Sequence, residues 1–253
     1  MLVAIETSSL VSSVALLHED SLRAELTIQA KLTHSEQLMP HIADMLQKES
    51  VKKSQIDGVA VSIGPGSFTG LRIGLASAKA LSFAWQVPIA GIETPRALAW
   101  NFMGMSYPVC VLIDAQKGNV YASTYLWHEW NLEEQRPVTV MPVADVLTAC
   151  KSCGGPVVFC GDGAILYQKQ IQDASPMFYL APLTMRIPRA GSLAMAAKRR
   201  LDAGDCDDCM TLTPAYKRRS EAEVLWEKRH GECRDRRRGS PCGPGNGRRG
   251  HHR

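Results

Sequence analysis

The chain has 253 residues, of which 45% are hydrophobic and 21% charged, values near globular averages that exclude a wholly disordered, collagen-like or coiled-coil protein. Its length admits one large domain or two small ones. The formal charge of +4 hides an asymmetry, because residues 228–253 hold nine Lys/Arg against two acids while residues 1–227 hold 20 against 23, so the body carries no basic stripe of the kind that marks a nucleic-acid footprint.

Residues 2–6 (LVAIE), 13–17 (SVALL) and 22–29 (LRAELTIQ) are three short apolar or alternating runs and read as a three-stranded meander. Thr33 and Glu36 then form a capping-box pair, after which Leu38, Ile42, Met45 and Leu46 trace one face of a helix of about four turns, bent at Pro40. Residues 58–63 read as a buried strand, GPGSFTG as a tight loop, 70–85 as a second helix, 88–92 as a strand and 94–103 as a third helix. The order βββ-α-β-α-β-α restarts at Val109, with strands at 109–114, 120–127 and 157–160 and helices at 163–172 and 191–203. Two α/β lobes are expected, 1–105 and 106–230, the second less regular. The tail 231–253, with six Gly, two Pro and seven Arg, lacks the apolar surface to offset its ordering entropy and is expected to be disordered.

Apolar runs such as VCVLI at 109–113 fall far short of the ~18–20 residues of a membrane span, and MLVAIETSS lacks signal-peptide form. A cytoplasmic protein with no membrane contact is expected, and with it mostly reduced cysteines.

The glycine loop Gly64-Pro65-Gly66-Ser67-Phe68-Thr69 joins a strand to a helix, an arrangement that aims backbone N–H groups outward and suits an anion. It lacks both the lysine of a P-loop and the G-x-G-x-x-G register of a dinucleotide fold. Gly70, Gly74 and Ala78 follow at four-residue spacing on one helix face. That stripe fits close packing on the chain's own sheet, or a helix seam with another chain in which Leu38, Ile42 and Met45 supply the bulk. Two C-x-x-C pairs, Cys150/Cys153 and Cys206/Cys209, have the donor chemistry of a tetrahedral zinc site, but the 52 residues between them exceed ribbon spacing, and free thiols are the default. No nucleophile with a signature base and no H-E-x-x-H pair supports proteolysis.

The stretches HSEQLMPHI (34–42), VAVSIGPGSFTGLRIGLASAKALS (59–82), PIAGIETPRALA (88–99), VLIDAQKGNVYAS (111–123) and LTPAYKRRSEAEVLWEKR (212–229) together resemble the TsaB family, formerly YeaZ. The resemblance implies the two-lobed α/β fold of the actin-like ATPase (RNase H-like) superfamily, its second lobe reduced. It also implies a non-catalytic, scaffold-like role in making threonylcarbamoyladenosine in tRNA, with a TsaD-type catalytic chain and a TsaE-type ATPase as partners, tRNA reached through the complex, and a homodimer when alone. In that superfamily a nucleotide lies between the lobes. Its phosphates would fall at Thr7, Ser8 and Ser9 and at Asp114, Lys117 and Gly118, and its adenosine at Gly161 and Gly163. Glu6 and Asp114 end apolar strands, where a carboxylate holds Mg²⁺ through water or caps a turn. ATP or ADP at a partner interface is compatible with the resemblance, with no cofactor required by this chain. TsaD proteins carry an H-x-x-x-H metal pair where this chain has Gly91-Ile-Glu-Thr-Pro-Arg-Ala-Leu98, without histidine. Alternatives outside that role are an ATP-dependent phosphotransferase and a homodimeric nucleotide-binding regulator. The tail's arginines suit sequence-independent contact with tRNA phosphates or a solvated linker.

Overall fold

The computed structural model describes residues 1–29 and 34–215. Met1–Lys217 forms one compact unit. The expected Thr33 cap, the tail and the segment beyond 215 lie outside the described residues.

Strands β1 (Leu2–Glu6), β2 (Val11–His18) and β3 (Ser21–Gln29) form the antiparallel meander, with Leu2 opposite Leu17 and Val11 opposite Gln29. Helix α1 (His34–Lys48), which contains Pro40, leads to β4 (Gly58–Gly64), helix α2 (Phe68–Trp85) and β5 (Ile89–Glu93). Both β4 and β5 join in parallel, giving the order β3-β2-β1-β4-β5. Helix α2 starts two residues before Gly70 because the Ser67 hydroxyl accepts the Gly70 N–H and caps its first turn. Helix α3 (Thr94–Ala99) continues as a 3₁₀ turn, Trp100–Phe102.

The second half repeats the plan. Strands β6 (Val109–Asp114), β7 (Asn119–His128) and β8 (Asn131–Pro142) form a meander, followed by helix α4 (Val143–Lys151), strand β9 (Val157–Cys160), helices α5 (Asp162–Leu166) and α6 (Gln168–Ala174), strand β10 (Phe178–Leu180) and helix α7 (Ala190–Asp202). Read from its meander edge, the second sheet runs β8-β7-β6-β9-β10, strand for strand the order of the first. This duplication is the two-lobed actin-like architecture. The reduction lies in the helices: α4 has 9 residues where α1 has 15, and the short α5 and α6 stand where α2 runs for 18.

Alternation along the strands sorts the core. Val3, Ile5, Val14, Leu16, Val59 and Val61 face α1 and α2, while Ala4, Ala15, Ala60 and Ala90, smaller side chains, face α7. Helix α7 belongs to the second half by sequence, yet its Leu193, Ala194 and Ala197 pack on the first sheet. Helix α3 lies between the sheets, with Ala97 against the first and Leu98 against the second. Beyond α7, residues 205–215 form a strap along the outer edge of the first sheet. Asp207 bridges Ile89 and accepts the Gly91 N–H at 2.7 Å, Arg200 ties Asp205 and Asp207, and the Ala215 N–H reaches the Ile63 carbonyl at 2.7 Å.

Candidate functional site

Of the residues singled out in the sequence, Ser8 and Ser9 on the turn after β1 lie beside Asp162 of the second half. The turn after β1 carries Thr7 and Ser8, both buried, and lies directly on the glycine loop and α2. Ser67 N–H donates to the Ser8 carbonyl at 2.6 Å, and Thr7 Oγ1 donates to the Gly70 carbonyl at 2.8 Å. A Cβ on Gly66 would fall 2.2 Å from Ser8 O, one on Gly70 2.0 Å from Thr7 O, and one on Gly74 2.1 Å from Thr7 Oγ1. Gly66, Gly70 and Gly74 are therefore required by the close approach of this turn. Pro65 is buried and Thr69 is exposed.

The six residues assigned to a partner seam do not present themselves to a partner. Leu38, Ile42, Met45 and Ala78 are at most 5% exposed and sit in the core between the helices and the first sheet, while Gly70 and Gly74 face Thr7. The stripe belongs to internal packing. What these helices expose instead is Met39, Phe68 and Phe83, with the Arg72 guanidinium stacked 3.9 Å from the Phe68 ring centre.

Glu6 ends β1 fully buried. Its Oε1 accepts the Ser8 N–H at 2.7 Å and the Ser62 hydroxyl at 3.1 Å, the turn-capping role, while Oε2 has no partner. Burial raises its pKa above the usual carboxylate value, against the pull of those hydrogen bonds. Across the cleft, Asp162 Oδ1 accepts the Asp114 N–H at 3.0 Å and the Gly163 N–H at 2.8 Å. Desolvation between β6 and α5 raises the Asp162 pKa despite an exposed outer edge, and the Asp114 carboxylate adds to it. Gly161 and Gly163 pack on β6, where a Cβ at Gly161 would come within 2.2 Å of Leu112 O. Lys117 and Gly118 stand on the exposed β6–β7 turn, with Asp114 capping it through the Gln116 N–H at 2.8 Å.

Ser8, Ser9, Thr94, Leu98, Ile113, Asp162 and Pro188 close around a cavity of ≈ 10 Å³. That is room for about one water molecule, against the ~300 Å³ or more of an ordinary ligand pocket. The hydroxyls of Ser8 and Thr94 are buried there without partners, so a bridging water fits the donor set. Ser8 and Ser9 from the first half and Asp162 from the second thus line one small cavity. Thr94 and Ser62 lie within the stretches that carry the family resemblance but were not singled out from the sequence as site residues. The C-x-x-C pairs stay apart: Cys150 packs against the second sheet and Cys209 against the first, and among the described residues no group of three or more His, Cys, Asp or Glu side chains is placed to hold a metal.

The sequence model of the family described as TsaD, tRNA N6-adenosine threonylcarbamoyltransferase, matches residues 28–226. A Bacillus subtilis protein named tRNA threonylcarbamoyladenosine biosynthesis protein TsaB is 30% identical over 226 residues, 89% of this chain and 97% of that one. The chain belongs to the TsaB family. The Escherichia coli protein of the same name is 32% identical over 143 residues, 54% of this TsaB-family chain and 61% of the relative. Among solved structures, YeaZ from Pseudomonas aeruginosa superposes with a TM-score of 0.72 at 25% identity, covering 85% of this chain and 98% of that one. Another Pseudomonas aeruginosa structure, described as similar to peptidase YeaZ, gives 0.74 at 27% identity over 86% and 99%. Among the described residues no helix is long and apolar enough to cross a membrane.

Proposed function

We propose that this chain is a non-catalytic, scaffold-like subunit of tRNA threonylcarbamoyladenosine biosynthesis, acting in the cytoplasm with a TsaD-type catalytic chain and a TsaE-type ATPase, and reaching tRNA through that complex. The observation that carries this reading is the β5–α3 junction. Where the related catalytic chains place a histidine pair, this chain offers Glu93, Thr94 and Pro95. Thr94, Pro95, Ala97 and Leu98 are buried packing residues, so that junction supports the lobes rather than a metal.

Partner contact is assigned to the outer surface of α1 and α2, which the buried Leu38, Ile42 and Met45 hold in place from beneath. A homodimer would use the same surface when the catalytic chain is absent. ATP or ADP, where bound, is assigned to the assembled complex. The test is reconstitution with threonylcarbamoyl-adenylate and unmodified tRNA. The chain alone should leave the tRNA unmodified, and transfer should appear when a TsaD-type chain is added. Modification by the isolated chain, or its steady turnover of ATP as a phosphotransferase, would overturn the proposal.

A further inference from the structure

The Cys150/Cys153 pair is absorbed neither by the cleft nor by the partner surface, and its surroundings are not those of two inert thiols. Cys153 is exposed just past the end of α4. The Arg136 guanidinium, projecting from β8, donates to its sulfur at 3.9 Å and to the Ala149 carbonyl at 3.1 Å, which fixes a cation beside the sulfur. Cys150 is one turn earlier, 3% exposed and packed in the core of the second sheet. Cys110 packs in the same cluster, and the interaction of the two thiols lowers the pKa of Cys150 while it raises that of Cys110. Exposed thiols in electropositive settings are the ones that oxidants select, above all with a second cysteine close by to resolve the product.

We propose that Cys150 and Cys153 form a peroxide-responsive thiol pair, in which Cys153 takes the oxidising equivalent and Cys150 closes a disulfide with it. The Cys153 thiolate attacks one peroxide oxygen, forming an S–O bond as the O–O bond breaks, and the second oxygen leaves as hydroxide and gains a proton to become water. The Cys150 thiolate then attacks the Cys153 sulfur, the S–S bond replaces S–O, and a second water departs. Two thiols lose two electrons and one hydrogen peroxide is reduced to two waters.

Geometry selects this pairing. Cys153 N–H bonds to the Cys150 carbonyl at 3.1 Å, so both lie in one helical turn, where Cβ atoms three apart stand ~5–6 Å from each other. A disulfide needs ~3.5–4.5 Å, an approach that one terminal turn supplies by rewinding. Gly154 and Gly155, which follow, have open space around them. Cys110, by contrast, is fully buried on β6, the central strand of its sheet, and closing a bond to it would distort that strand. Rewinding draws the Cys150 side chain away from Cys110, so oxidation should loosen α4 from the second sheet.

The full chain carries an internal comparison in Cys206. It is also exposed, but its sequence neighbours Asp205, Asp207 and Asp208 are acidic, with Arg200 bonded to Asp205 and Asp207. One equivalent of hydrogen peroxide on the native chain, followed by alkylation and trypsin, reads the outcome, because cleavage after Lys151 leaves the two peptides joined only through the disulfide. The expected product is the linked pair, with fragmentation placing the bond on Cys153 rather than Cys160. Arg136→Gln should slow its formation several-fold, and in Cys150→Ser the unresolved sulfenic acid should appear as a dimedone adduct on Cys153 at several times the level on Cys206. If Cys150→Ser does not fold, the native mapping and the Arg136 variant decide. A Cys110–Cys150 bond, an Arg136→Gln rate equal to that of the native chain, or equal labelling of Cys153 and Cys206 would overturn the proposal.

Discussion

Gly74→Ala adds a single methyl group, and the structure says where its strain falls. The new Cβ would lie 2.1 Å from Thr7 Oγ1, while its next neighbours, Thr7 Cβ at 3.4 Å and Ile5 Cγ2 at 3.6 Å, are within ordinary tolerance. Overfilling a packed site costs ~1–3 kcal/mol, and displacing Thr7 Oγ1 also threatens its buried bond to Gly70 O, worth ~0.5–1.5 kcal/mol. Alanine returns up to ~1 kcal/mol through helix propensity. The net expectation is a loss of ~1–3 kcal/mol, or ~2–12 °C in Tm at ~2–4 °C per kcal/mol for a chain of this size. Thr7→Ala removes the clashing oxygen. In that background Gly74→Ala should become neutral or stabilising, giving a coupling of at least ~1 kcal/mol in a double-mutant cycle. Gly70→Ala should find no such rescue, because its clash at 2.0 Å is with the Thr7 backbone carbonyl. Urea unfolding followed by circular dichroism measures all four corners. Additive effects, or a Gly74→Ala variant as stable as the parent, would refute the argument that the stripe exists to seat Thr7.

Glu6 has a folded-state pKa raised by burial, so its contribution to stability is complete below the ordinary carboxylate pKa and falls as pH rises toward the raised value. Glu6→Gln should therefore unfold later than the parent at pH 7, by on the order of 1 kcal/mol, with the gap closing toward pH 4; a constant gap in a melting series across that range would reject this account. Arg200→Met removes the bonds to Asp205, Asp207 and the Gly91 carbonyl. It should cost ~1–3 kcal/mol and expose the strap to limited proteolysis between 203 and 212 well before the core is cut, and an unchanged digestion pattern would show that the strap is held by its apolar contacts.

The first half was legible because its signals are strong. Apolar strands buried on both faces leave nearly continuous hydrophobic runs, and all four strands from β1 to β4 fall within about two residues of the positions read from sequence. Strand β8 escaped because NLEEQRPVTVMP is mostly exposed at a sheet edge and shows no apolar alternation. Strand β10 has only three residues. Helix α4 was readable and missed: Val143, Val146, Leu147 and Cys150 stand at i, i+3, i+4 and i+7, and all four are buried. Residues 163–172, read as one helix, break at Tyr167 into α5 and α6. At the site, the glycine stripe correctly announced a close backbone approach, but its partner, Thr7, lies 63 residues from Gly70, a separation that no local pattern encodes. The packing of α7 on the first sheet is unmarked for a related reason, since composition gives no sign of that return.

That return of α7 sets a schedule for synthesis. When β5 has left the ribosome, the first sheet has its full set of strands and the cover of α1 and α2, but its alanine-lined face stays bare until Ala190–Asp202 emerges. At ~5–20 residues per second the intervening stretch takes on the order of 5–20 s. For that interval the growing chain exposes an apolar surface with the period of a strand, a substrate for a holding chaperone, and synonymous codons that slow translation between β6 and α7 should raise aggregation without changing one residue of the finished protein.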